Sequence, residues 1–321
     1  MKLKFFSLLV ALSLALNACA PAATPTAPAA DQTQPLQVVA TTSIVADVVK
    51  NIGGDRVAVT TLLPIAADIH TYEPTPQDLA KAADARLVFV NGAGLEEFLS
   101  VLIENAGSAD KVVEVSHGIE LKDFGAHSDD HSNESEDHEG EEQSHEGGDP
   151  HTWVDPNNVK IWVENIRAAL TAADPAGEAV YRANAEAYLK QLDEMDAWIR
   201  QQVAQIPAEN RKLVTDHQLF GYFAERYGFE QIGAIIPGYS TAAQPTAQEI
   251  AAIEDAIRDF GVNAVFVSKA VNPGLAQRVA EDTGIQLVGL YHGSLSAPGG
   301  EAATYLDYLR YNVTQIVSAL K

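Results

Sequence analysis

Lys212-Leu213-Val214-Thr215-Asp216-His217 is the stretch on which the fold turns. A short β-type run ends there on two polar residues, and a strand–helix alternation restarts from it. Helix Leu219 to Tyr227 follows, then strand Gln231 to Ile235, helix Thr246 to Phe260 and strand Ala264 to Val267. Helix Pro273 to Thr283, strand Gln286 to Leu290 and a last helix from Ala303 complete the series. The same alternation has already run once upstream. Val38 to Thr42 is a β-type run, Ser43 caps a helix through Ile52 that stops at Gly53-Gly54, and Val57 to Leu63 is a strand. Thr75-Pro76 opens a helix with a capping residue and a proline at its first position. Leu87 to Val90 is a strand too continuously apolar for a half-exposed sheet, Leu95 to Glu104 reads as helix, and Val112 to Val115 is again a strand. Alternation of this kind predicts mainly parallel sheets covered by helices, and the restart predicts two α/β lobes.

The lobes are expected at residues 36–173 and 208–321, with a linker helix at 174–207 between them. Asp174-Pro175 starts a proline-free run of good helix formers that reaches Ile206. Its apolar Val180, Ala183, Ala187, Leu192, Met195 and Ile199 lie at roughly helical spacing. A helix of that length spans on the order of 45 Å, enough to serve as a rigid strut between two lobes.

The amino-terminal end reads as a targeting segment. Lys2 and Lys4 precede an apolar run from Phe5 to Leu16, too short for a membrane span. Leu16-Asn17-Ala18-Cys19 resembles a bacterial lipobox, which makes residues 1–18 a signal peptide and Cys19 the lipid-anchored start of the mature chain. Cys19 is the only cysteine, which excludes an intramolecular disulfide framework. Residues 19–35, mostly Ala, Pro and Thr, read as a flexible tether. The formal net charge of −23 argues against nucleic-acid binding, which needs a cationic footprint. About ten acidic residues and no Lys or Arg lie between Asp129 and Asp149, so much of the charge belongs to one loop at about 125–149.

Three histidines sit in three differently shaped motifs. His70 stands in Asp68-Ile69-His70-Thr71-Tyr72-Glu73-Pro74-Thr75-Pro76, His151 in Asp149-Pro150-His151-Thr152-Trp153-Val154-Asp155-Pro156, and His217 at the carboxyl end of a strand. A lone histidine in such a loop is more often a cap or hydrogen-bond donor. Three of them, placed where open α/β sheets bind ligands, point to a divalent metal held by imidazole.

These motifs resemble the hallmark segments of the cluster A-I substrate-binding lipoproteins, which feed zinc or manganese to ABC importers. His70 to Pro76, Asp149 to Pro156, and Val214 to His217 with the following Phe220-Gly221-Tyr222-Phe223-Ala224 carry the likeness, which extends from about residue 36 to the end. The resemblance implies two α/β lobes joined by one long helix, metal in the cleft between them, and an ABC permease as partner. It implies an extracytoplasmic receptor, lipid-anchored on the periplasmic or cell-surface side and expected as a monomer, rather than an enzyme. Many members carry an aspartate ligand where this chain has Gly293, in Leu290-Tyr291-His292-Gly293-Ser294-Leu295-Ser296. His292 is therefore the tentative fourth ligand, with water as the alternative. An imidazole-rich set suits Zn2+ over Mn2+, which favours carboxylate oxygen. His127, His131, His138 and His145 lie among acidic residues with irregular spacing, which suits low-affinity collection of divalent cations or an acidic linker with incidental histidines. Two other classes remain open: a zinc hydrolase, since three histidines and water also make a catalytic centre, and a surface adhesin.

Overall fold

The computed structural model describes residues 34–96, 109–122, 148–270 and 272–321. The signal peptide, Cys19, most of the tether, most of the expected helix Leu95 to Glu104, and His127, His131, His138 and His145 lie outside the described residues.

Two four-stranded sheets are built, both wholly parallel. In the first, β1 (Leu36–Ala40) lies between β2 (Val57–Thr61) and β3 (Leu87–Val90), with β4 (Val112–Glu114) at the far edge. The second repeats that order: β5 (Lys212–Thr215) lies between β6 (Glu230–Ala234) and β7 (Ala264–Ser268), with β8 (Gln286–Leu290) outermost. Each order reverses direction once, at β1/β3 and at β5/β7. Parallel strands buried on both faces explain why β3 and β7 read as unbroken apolar runs; every residue of β7 is buried.

The helices begin where local chemistry permits. Thr42 Oγ1 accepts the Val45 amide at 3.1 Å and starts α1 (Ser43–Gly53), so the cap is one residue earlier than the sequence reading placed it. α2 (Pro76–Asp84) opens on a full capping box between Thr75 and Asp78. Burial pushes the Asp78 carboxyl up, yet donors from Lys81, Thr75 and Tyr72 together hold it well below the usual carboxylate range. The second lobe contributes α5 (Gly221–Tyr227), α6 (Ala247–Phe260), α7 (Gly274–Thr283) and α8 (Tyr305–Leu320).

The expected linker segment 174–207 holds one long helix, α4 (Glu178–Val203). A further helix, α3 (Pro156–Ala173), precedes it within the expected first lobe and is separated from it at Asp174-Pro175. The start of α3 is written in local chemistry. Asp155 accepts the Asn157 amide as its cap, Pro156 takes the first position, and Val159, Trp162, Val163, Ile166 and Leu170 form its buried face. α4 has 26 residues, about 39 Å at 1.5 Å each. Its buried stripe is Tyr181, Ala185, Tyr188, Leu192, Met195, Ile199 and Val203, spaced by steps of four and three as packed helices are. Val180, Ala183 and Ala187 face solvent, because two tyrosines with large apolar rings outweigh alanines in choosing the inward face. α4 is therefore no bare strut: α1 and α3 pack on it from the first lobe and α8 from the second. One hydrophobic cluster runs through both lobes and this helix.

The carboxyl end of the first sheet is fastened by Glu96. Its carboxylate accepts Thr41 Oγ1 at 2.7 Å and the amides of Asn91 at 2.7 Å and Gly92 at 3.0 Å. Asn91 Nδ2 in turn donates to the Pro150 carbonyl at 2.9 Å, next to His151. Burial outweighs these donors and pushes the Glu96 carboxyl up to about 7. A raised carboxyl binds its proton more readily folded than unfolded, so this group lowers stability as pH rises from about 4.5 to 7. Replacing Glu96 with Gln is expected to flatten that part of the stability–pH curve while lowering overall stability, because the amide presents N–H groups to the Gly92 amide. Urea denaturation of both proteins at several pH values measures the difference.

Candidate metal centre

The loops that follow the strand ends meet at the carboxyl edges of both sheets, the crevice where open α/β folds hold ligands. His70 lies on the loop 62–75 after β2, His151 on the turn before α3, and His217 two residues beyond β5. Their rings converge. Centroid separations are 5.3 Å for His70–His151, 5.2 Å for His70–His217 and 5.3 Å for His151–His217. His151 Nε2 and His70 Nε2 are 3.2 Å apart. Two nitrogens bound tetrahedrally at 2.0–2.1 Å to one zinc ion stand about 3.3–3.4 Å apart, so the spacing already matches a shared cation. His151 and His217 are buried at 0% and 3% exposure, whereas His70 is half-buried.

Carboxylates aim two of the rings. Asp149 Oδ1 accepts both the His151 amide at 2.9 Å and His151 Nδ1 at 2.8 Å. Asp216 Oδ1 does the same for His217, at 2.8 and 2.7 Å. An acceptor at Nδ1 selects the tautomer whose lone pair lies on Nε2, which leaves that atom for the centre. The environments of the two carboxylates differ. Burial pushes Asp149 up to about 7 against the pull of the His151 amide, His217 and Lys122. Asp216 is as deeply buried, but His292 and His217 beside it hold it well below the usual carboxylate range. Its Oδ2 also accepts the Ser268 amide at 2.7 Å, from the end of β7.

His292 is not brought into the three-histidine group. It shares a second potential cluster with Asp216 and His217, its ring 5.6 Å from that of His217. Its Nδ1 lies 3.3 Å from Asp216 Oδ1, close enough for charge attraction but not aligned as a hydrogen bond. The ring is 4% exposed, and neither nitrogen has a hydrogen-bond partner among the described residues. Trp153 Nε1 donates to its carbonyl at 3.1 Å and anchors the backbone there. Gly293 lines the same small cavity, and a Cβ built on it would stand 3.3 Å from Ile69 Cγ2.

That cavity holds about 20 Å³, room for one ion or one water. A groove of about 1020 Å³ opens beside it between Lys122, Tyr222, Arg226 and Gln231, and none of the three histidines lines it. The three imidazoles all line the small cavity. Sequence reading found the three imidazoles but gave no role to Asp149 and Asp216. The signal was present, since each aspartate stands one or two residues before its histidine.

Comparison with known proteins now carries weight. The family described as "Zinc-uptake complex component A periplasmic" (ZnuA) matches residues 38–319. The chain belongs to the ZnuA family. This ZnuA-family chain is 37% identical over 286 residues to the manganese-binding lipoprotein MntA of Halalkalibacterium halodurans, covering 89% of this chain and 88% of that one. It is 32% identical over 287 residues to the iron-binding protein YfeA of Yersinia pestis, covering 89% and 86%. Its fold is similar to that of the periplasmic zinc binding protein TroA from Treponema pallidum, with a TM-score of 0.78 at 27% identity over 89% and 99% of the two chains. Those proteins are described by three different cations, so ZnuA-family membership leaves the ion open.

The two aspartates are expected to respond differently to amide substitution. Asp149→Asn keeps an acceptor for His151 and puts its NH2 where Oδ2 has no partner among the described residues. Asp216→Asn sets an NH2 against the Ser268 amide. The second change should cost 10–100-fold in metal affinity and the first clearly less, measured by chelator competition.

Proposed function

We propose that the chain is an extracytoplasmic receptor that captures Zn2+ and delivers it to the permease of an ABC importer. The convergence of three imidazole rings, 5.2–5.3 Å apart and drawn from three distant segments, carries this reading. His70, His151 and His217 supply the nitrogen ligands. Neither Asp149 nor Asp216 lines the small cavity, and Asp68, which does, has one oxygen on the His70 amide and the other on the Thr241 hydroxyl. Nitrogen-rich, low-coordination sites suit zinc. Cargo binding also fits the cavity better than catalysis does. Small-molecule sites run to several hundred Å³, and about 20 Å³ leaves no space for a substrate beside the ion. Family membership supports the importer partnership, and in this reading Cys19 supplies the lipid anchor of a monomeric receptor.

Manganese is the second reading, favoured by the name of the 37% identical relative. The discriminating residue is Gly293. With no carboxylate there, the fourth position falls to water or to His292, which lines the same cavity.

Titration calorimetry of the full chain tests the reading. Zinc is expected to bind one tight site and to displace manganese. His70→Ala, His151→Ala and His217→Ala should each abolish tight binding, because two remaining imidazoles cannot complete a tetrahedron. Tight manganese binding that zinc does not displace would transfer the assignment to manganese, and unchanged affinity in any single variant would remove that histidine from the site.

Gly293→Asp supplies the oxygen donor that the chain lacks. Its backbone needs no left-handed conformation, and the new Cβ requires Ile69 to yield by a few tenths of an ångström. The variant is expected to shift the zinc-to-manganese affinity ratio at least tenfold toward manganese, read by competition between the two ions.

A further inference from the structure

Loop 62–75 brings His70 to the centre, and it is fastened to the opposite lobe at two points. Asp68 makes the first. Its Oδ1 accepts the His70 amide at 3.0 Å, while its Oδ2 accepts the hydroxyl of Thr241, on the loop between β6 and α6. Ser294 makes the second. Its Oγ accepts the Ala66 amide at 3.0 Å and lies 3.3 Å from Ser43 Oγ, which in turn accepts the Leu295 amide at 2.9 Å. Ala66 has φ +62°, a left-handed conformation that an alanine adopts only when neighbours hold it there. On the other side of His70 the loop returns to its own lobe, where Tyr72 donates to Asp78 Oδ2 at 2.7 Å.

His70 is also the ligand with most access to solvent. His151 and His217 are enclosed in buried turns and are aimed by neighbouring aspartates. An ion leaving the centre therefore loses His70 first, and His70 withdraws only if its loop lets go of the far lobe. We propose that Thr241 and Ser294 are positioning residues that set how long the ion is held, by clasping the His70 loop across the cleft through Asp68 and Ala66. They touch no ion. They act on the one ligand whose departure opens the site. This inference rests on the receptor reading above and adds the control of release.

The test is stopped-flow dissociation of zinc from the full chain into excess EDTA. Thr241→Val keeps the side chain's shape and removes the donor. It is expected to speed dissociation about tenfold, the loss of one charge-assisted hydrogen bond. Thr241→Ser restores the hydroxyl and should return the rate to near wild type, which a purely steric role would not produce. Asp68→Asn should be tolerated, because its amide can donate to the Thr241 hydroxyl while its carbonyl still accepts the His70 amide. Ser294→Ala, at the independent point, should also accelerate release. The ligand-field spectrum of bound Co2+ should stay the same in Thr241→Val, since all three imidazoles remain. Equal dissociation rates in wild type and Thr241→Val overturn the clasp and leave the receptor reading intact. A wild-type protein that holds no zinc overturns the receptor reading itself.

Discussion

Three imidazole rings are held 5.2–5.3 Å apart, and the rest of the molecule answers to that constraint. No sequence-local element can do it, because the three residues are separated by 81 and 66 positions in the chain. The rings lose their rotamer freedom when fixed there. The scaffold bears that cost in advance. Two parallel sheets of identical strand order deliver their loops to one crevice, and buried carboxylates fix the rings that arrive there. An ion held there, as proposed above, would meet donors already in place, and little of its binding energy would be spent on ordering them.

The two carboxylate–imidazole pairs look equivalent and are not. Asp216 is bound to the Ser268 amide and flanked by two histidines, which fix it as an anion. Asp149 has an oxygen without a partner among the described residues, and burial brings its titration to about neutral pH. The His217 ring thus stands beside a fixed anion, while the His151 ring stands beside a carboxyl that burial pushes toward its neutral form.

Much of this architecture was legible in the chain. Strands such as Leu87 to Val90 announce themselves because both faces of a parallel sheet demand apolar residues, and Thr75-Pro76 and Thr246 announce helix starts because caps are local chemistry. The three histidines that converge were legible because each sits in a motif with its own turn residues. What escaped was tertiary. The face of α4 was misread in its first half, since the choice between Val180 and Tyr181 is made by α1 and α3 and not by the helix itself. The Asp68–Thr241 contact joins residues 173 positions apart, and neither residue is unusual alone. His292, adjacent to the expected ligand position, lines the same small cavity but is grouped with Asp216 and His217 and not with the three imidazoles.

The continuous core along α4 has a mechanical consequence. Helices from both lobes share its buried stripe, so opening the cleft by swinging one lobe away would tear apolar surface from α1, α3 or α8. A large hinge excursion is thereby costly, and the apolar seam along α4 acts on the two lobes as a weld acts on two plates.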